Sequence, residues 1–322
     1  IPILNLKQPS SIAFNAEFAQ MVPGTAKGAN GKVYVDDFES TKIGFDVRYA
    51  SNWKLSSTPL RFEESANDNN IEYGKNRALL SWYYIDNMFN RSTSSTPSYI
   101  RNDKEQLSNH FVREISEQEI FPNRELVYGQ STYIQTLDLA YYPEERGPYN
   151  VFDQNFNSEG YLIDPKSKWG GIMRKLETTD FESNNIEYLE FWMIDPFVYN
   201  DGTAKGGDLY FNFGDISEDV LKDGRKFYEN GMPFDGSTDD VVETVWGKVP
   251  SKQSLTYSFD SDAAARKLQD TGLNGLLTEE EFTFATYKDF VDNMTAKLSP
   301  DAIARLQADK LSMLNDPAGD NF

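Results

Sequence analysis

Residues 11–18 open the readable pattern: apolar Ile12, Phe14, Ala16 and Phe18 alternate with Ser11, Ala13, Asn15 and Glu17. A period of two predicts a strand with one apolar face, and Pro23-Gly24 ends it as a turn. An ordinary half-buried strand and a transmembrane barrel strand, with a lipid face and a polar lumen face, both fit. The alternation alone favours the first. From residue 32 to about 260 the chain reads as short strands separated by Gly, Pro, Asn and Asp. The strongest are 32–39, 43–50, 77–85, 133–142, 186–194 and 208–216, each rich in β-branched or aromatic residues. Such spacing predicts a mainly β fold, an antiparallel sandwich or jelly roll. Residues 188–194 are expected as a central strand, with 208–213 beside it and Phe191 or Trp192 facing inward. Polar connections are expected at 63–70 and 91–98, and a helical insertion or irregular loop at 102–119.

After Phe259 the period becomes helical. Ser261 or Asp262 precedes an alanine-rich run as N-cap. A second helix is expected over 278–298, with acidic residues in its first turn and Phe282, Phe290 and Met294 at helical spacing. Ser299 caps a third, with Pro300 at its first position. The chain should leave the helices at Pro317. The resulting division is an N-terminal strand (1–31), a β-sandwich domain (32–260) and a helical appendage with tail (261–322).

The 322 residues carry 31 Lys and Arg against 51 Asp and Glu, a net charge of −20 that argues against nucleic-acid binding. No cysteine is present, which excludes disulfides and thiolate metal sites. No run of about 18 apolar residues occurs, so no transmembrane helix is encoded. His110 is the single histidine, which removes histidine triads and multi-histidine metal sites.

The remaining chemistry rests on carboxylates and aromatics. A glycosidase requires two acids flanking a sugar. Asp36, Asp37 and Glu39, Asp180 with Glu182, and Glu187 with Glu190 are candidates, better read as solvated faces in so acidic a chain. Trp169, Trp192 and Tyr210 suggest a sugar-stacking platform, with Trp192 better explained as core. Residues 141–150, YYPEERGPYN, form a rigid turn that either receives a polypeptide or braces its neighbours. The sharpest motif is 270–281, DTGLNGLLTEEE. A calcium loop of the EF-hand type asks for oxygens at positions 1, 3 and 5, a backbone carbonyl at 7, Gly at 6 and Glu at 12. Asp270, Asn274, the Leu276 carbonyl and Glu281 meet four of these requirements and Gly275 the fifth. Gly272 at position 3 offers no side-chain oxygen. The competing reading, which we favour here, is a helix-loop-helix turn that uses its glycines for backbone freedom.

Several strings resemble one family. They are TLDLAYYPEERGPYN (136–150), WGGIMRKLETTDFESNNIEYLEFWMIDPF (169–197), GGDLYFNFGDISEDVLKDGRKFYENGMP (206–233), YVDDFESTK (34–42) and WKLSSTP (53–59). Together they are similar to the SprA (Sov) family, the very large outer-membrane β-barrel translocons of type 9 secretion in Bacteroidota. Those proteins are several times longer, so the resemblance implies a fragment. It implies a barrel strand at 11–18, against the preference of the alternation alone, and an insertion in a large outer-membrane barrel, at the outer membrane or cell surface of a Gram-negative bacterium. The role implied is that of a scaffold, cap or pore lining in a protein-conducting channel, for type 9 secretion and gliding motility. Implied partners are secreted type 9 substrates, an outer-membrane barrel that receives them, and plug and periplasmic subunits. No catalytic activity is expected, and calcium is the one candidate cofactor. The alternatives are a carbohydrate-binding or adhesion module of a surface protein, and a hydrolase using a carboxylate pair.

Overall fold

Strands among the described residues pair two by two, and most are short. The computed structural model describes residues 16–20, 44–126, 129, 132–203, 206–224, 232–233, 235–237, 239–252 and 259–321. The strands among them are β1 (Lys54–Leu55), β2 (Ala78–Tyr83), β3 (Ile115–Ser116), β4 (Tyr133–Ile134), β5 (Asp138–Arg146), β6 (Ile172–Met173), β7 (Val241–Glu243) and β8 (Lys248–Pro250). They form four separate antiparallel pairs: β1 with β6, β2 with β5, β3 with β4, and β7 with β8. The β2–β5 ladder is the longest, with Leu80 opposite Tyr141 and Trp82 opposite Leu139. Such cross-strand apolar pairs are what stabilise a ribbon of this kind.

The helices are α1 (Ser98–Arg101), α2 (Lys104–Leu107), α3 (Glu117–Ile120), α4 (Ala263–Gln269), α5 (Thr278–Glu281), α6 (Ala285–Lys297) and α7 (Pro300–Ala308). Their starts are set by caps. The Asp262 carboxylate accepts the Ala264 and Ala265 amides at 2.9 and 3.0 Å and opens α4. Ser299 Oγ accepts the Ala302 amide at 3.2 Å with Pro300 in the first turn of α7. The helix expected over 278–298 is broken in two. Phe284 is extended at the start of α6, and Thr283 Oγ1 donates to the Glu280 carbonyl at 2.8 Å. A Phe-Thr-Phe run has weak helix propensity, and a local hydroxyl bond completes the break.

The chain divides into two units. One joins Ile1–Gly44 to Asp180–Glu187, and the other joins Phe45–Thr179 to Tyr188–Phe322. In the smaller unit, 180–187 is a turn held by the Ser183 amide on Asp180 Oδ1 at 3.1 Å and the Ile186 amide on the Phe181 carbonyl at 2.9 Å. In the larger unit, Tyr287, Phe290 and Met294 face inward from α6, and Ala302 and Leu306 from α7. They pack in one cluster with Tyr73, Tyr149, Val151, Trp246 and Leu276. The helices are therefore built into the core of the preceding region, and a boundary at residue 260 would cut through it.

Arg77 lies beside this core and is 1% exposed. Its guanidinium donates to the carbonyls of Pro148 at 3.0 Å and of Ser56 and Val220 at 3.3 Å. It also sits 5.2 Å from the Trp169 ring. Burial lowers its pKa to about 10, so it keeps its charge at neutral pH.

Several expected strands do not form among the described residues, and others lie outside them. Residues 32–39 lie outside the described residues, as do 11–15, while Ala16 to Gln20 are irregular and exposed. Residues 44–49 pair with nothing in a ladder, and Ala50–Asn52 is a 3-10 turn. Most consequential, 188–194 and 208–213 join no sheet, and Trp192 is 77% exposed. The expected sandwich, with Phe191 or Trp192 inside, is not formed by these residues. Composition marks a segment as able to be buried, but burial needs a second layer to meet it.

One expectation follows from the caps. Ser299→Ala should destabilise the larger unit by about 1 kcal/mol, because the Ala302 amide loses its acceptor. Urea denaturation should register a lower midpoint with an unchanged slope.

Candidate metal centre

The site is built where the 270–281 turn meets the end of the chain. Gly275 adopts φ +66°, and a Cβ there would lie 1.9 Å from the Lys248 carbonyl oxygen, so only glycine fits. The turn places Asn274 inside, fully buried. Its side-chain amide donates to Glu281 Oε1 at 2.7 Å, and its Oδ1 accepts the Leu276 amide at 3.0 Å. Glu281, the last residue of α5, is 1% exposed. From the other side come residues 316–320, which follow α7. Arg146, at the end of β5, donates to the carbonyls of Asp316 at 2.8 Å and Pro317 at 3.0 Å. The Tyr149 amide donates to the Ala318 carbonyl at 2.7 Å, and the Ala318 amide to Glu281 Oε2 at 3.1 Å. The YYPEERGPYN stretch thus braces the C-terminal segment through Arg146 and Tyr149.

This arrangement gathers Glu281, Asp316 and Asp320, whose carboxylate oxygens lie within 4.8 Å of one another. The three residues could hold a metal ion. Asp320 Oδ2 accepts the Tyr149 hydroxyl at 2.6 Å. Asp316 caps its own turn, accepting the Gly319 and Asn321 amides at 3.0 and 3.2 Å. Each carboxylate keeps lone pairs beyond these bonds. Burial pushes the Glu281 carboxyl up to about 8, and the nearby Asp320 charge adds to the shift. Burial likewise takes Asp320 up to about 6, against the lowering effect of the Tyr149 hydroxyl. Burial also holds Tyr149 and Tyr287 above the ordinary tyrosine range. Arg146 is a nearby cation, and its guanidinium donates to the backbone carbonyls of Asp316 and Pro317. The donor set is oxygen throughout, which suits a hard cation such as calcium or magnesium and not zinc.

The motif residues are only partly brought together. Glu281 belongs to the cluster, and Asn274 supports it through a hydrogen bond. Asp270 caps the C-terminus of α4, is exposed, and lies outside the acidic group. The Leu276 carbonyl faces back onto the Gly272 amide at 3.4 Å. The geometry is therefore not that of a self-contained EF-hand loop. Gly272 has a physical reason: a Cβ there would fall 1.8 Å from Asp320 Oδ2. The oxygen that position 3 lacks is supplied in space by Asp320. Asp316 and Asp320 were missed because they lie some forty residues along the chain; the Asp-Pro-Ala-Gly-Asp spacing, two acids across a turn, was the available signal.

The other candidates read structurally. The Asp180 carboxylate is lowered chiefly by the Ser183 amide it caps. Asp36, Asp37 and Glu39 lie outside the described residues, and Glu182, Glu187 and Glu190 are exposed. Trp169 is buried between Phe62 and Arg77 rather than offered to a sugar. His110 packs edge-on against Phe111, and its amide donates to the Tyr199 hydroxyl at 2.8 Å. No described helix is long and apolar enough to cross a membrane.

Comparison with protein-family models and with curated proteins returns no match for this chain.

Proposed function

We propose that this chain is an extramembrane segment of an outer-membrane protein-conducting channel of the SprA type, serving type 9 secretion and gliding motility. The observation that carries the reading is the exposure of 188–194 and 208–213. These two stretches lie within family-like strings and are densely apolar, yet make no sheet among the described residues. Segments of that kind belong to a larger structure, where they become strands of a closed sandwich set into or beside the barrel. In this reading the segment scaffolds, caps or lines the pore. Mild-detergent purification of the full-length parent, followed by mass spectrometry, tests it. Co-purification of an outer-membrane barrel partner and a plug is expected, and recovery as a lone, closed monomer in several detergents would overturn it.

Within that segment, the carboxylate trio, with Glu281 and Asp316 buried and Asp320 half-buried, is a calcium site that fastens 316–320 to the core. Its hard oxygen donors and the burial of mutually repelling carboxylates support this. The role is structural, without turnover. A surface glycan-binding module is the second reading, favoured by the exposure of Trp192. Two of the three rings of that platform are unavailable, however: Trp169 is buried, and the Arg61 guanidinium lies 3.7 Å from the centre of the Tyr210 ring.

A further inference from the structure

The stretch from Tyr188 to Ile216 is two apolar arms joined by a loop whose described part, 195–203, is held by side-chain bonds. In the loop, the Phe197, Gly202 and Thr203 amides bond to the side chains of Asp195, Asn200 and Asp201 at 2.9–3.0 Å. Tyr199 is anchored by its ring, 5.3 Å from Phe111. The arms lie side by side, with the Phe191 and Phe211 rings 5.3 Å apart. Alternation puts Leu189, Phe191 and Met193 on one side of the first arm, and Leu209, Phe211 and Phe213 on one side of the second. All six side chains are at least 43% exposed. Backbone amides 188–194 and 208–212 make no hydrogen bond among the described residues. An apolar surface flanked by free backbone donors and acceptors is what an added strand requires.

The charge specifies the occupant further. Tyr188 to Ile216 contains Glu190, Asp195, Asp201, Asp208 and Asp215 against one base of its own, Lys205, with Arg61 lying over the Tyr210 ring. None of these five acids forms an ion pair among the described residues. We infer that these arms are a strand-addition site for an extended polypeptide segment that alternates apolar with polar residues and carries Lys or Arg. Backbone hydrogen bonds supply the affinity, the Phe191–Phe211 side receives the apolar residues, and the acids select the charge. The channel reading draws on the same exposed arms, and the inference adds the chemistry of the strand they take; failure of a basic alternating peptide to bind overturns the inference and leaves the purification test of the channel untouched.

The full 322-residue chain should be titrated with the peptide KVTVTVTVTK, following tryptophan emission and hydrogen exchange of amides 188–194. Expected are a change in the emission of Trp192, on the opposite side of the same arm, slowed exchange in that arm, and affinity that falls with salt. An N-methylated copy of the peptide, which cannot donate to a ladder, should bind at least tenfold more weakly. The acidic counterpart EVTVTVTVTE should also bind at least tenfold more weakly. Phe191→Pro in the protein should lose the same factor, with far-UV circular dichroism confirming the fold. Equal affinity for the methylated peptide would reduce the site to non-specific apolar adsorption and overturn the inference. So would protection of 188–194 by self-association without peptide, or by oligosaccharides with no peptide binding.

Discussion

Millimolar calcium should raise the thermal midpoint of this chain, and raise it more at pH 8 than at pH 5. Without metal, the folded protein holds protons on Glu281 and Asp320 more tightly than the unfolded chain does, with pKa values of about 8 and about 6. Stability from a raised carboxyl pKa is present below the unfolded value and lost as pH rises through the folded one. The metal-free protein is therefore expected to weaken between about pH 4 and about pH 8. A cation reverses this, because it competes with those protons and binds best when both are gone. At calcium one hundred times its dissociation constant, the gain is about 2.7 kcal/mol, or roughly 5 °C. Glu281→Gln should abolish the calcium response and flatten this part of the pH profile. Melts with EDTA and with calcium at both pH values decide it. A midpoint indifferent to calcium at pH 8, or an undiminished response in Glu281→Gln, would remove the calcium site.

Trp246→Ala is expected to cost about 3–5 kcal/mol, the largest loss from a single truncation in this chain. Trp246 is 0% exposed and meets Tyr149 edge-on at 6.5 Å. Its carbonyl accepts the Tyr287 hydroxyl at 2.7 Å, tying the 244–247 turn to α6. Truncation leaves a cavity the size of an indole between two segments that cannot both collapse into it. Trp246→Phe should cost far less: most of the volume stays, and the buried indole N–H, which meets no acceptor among the described residues, goes with the ring. Denaturant midpoints of the two variants provide the comparison. Near-equal losses would mean that ring volume is not what holds this region.

What was legible in the sequence was local. Asp262 and Ser299 as caps, Pro300 in a first turn, and Phe290 and Met294 on the inner face of a helix all depend on neighbours within a few residues. The 270–281 turn was legible for the same reason, including Gly275. Illegible were contacts closed by distant chain. Asp320 occupies the space in front of Gly272, and nothing within the motif announces it. The tail that seemed to leave the helices at Pro317 instead returns to Tyr149 and Glu281. Trp192 failed in the opposite sense. Its apolar neighbours marked a strand fit for a core, but whether a core meets it is decided elsewhere.

Arg77 carries a consequence for the order of folding. Its three carbonyl acceptors, on Ser56, Pro148 and Val220, are separated from it by 21, 71 and 143 positions. A guanidinium cannot shed its water until those oxygens are waiting, and each loop must be closed at an entropic cost before the reward arrives. The staple therefore forms on the native side of the folding barrier. It governs how slowly the finished molecule comes apart and has little influence on how fast it assembles.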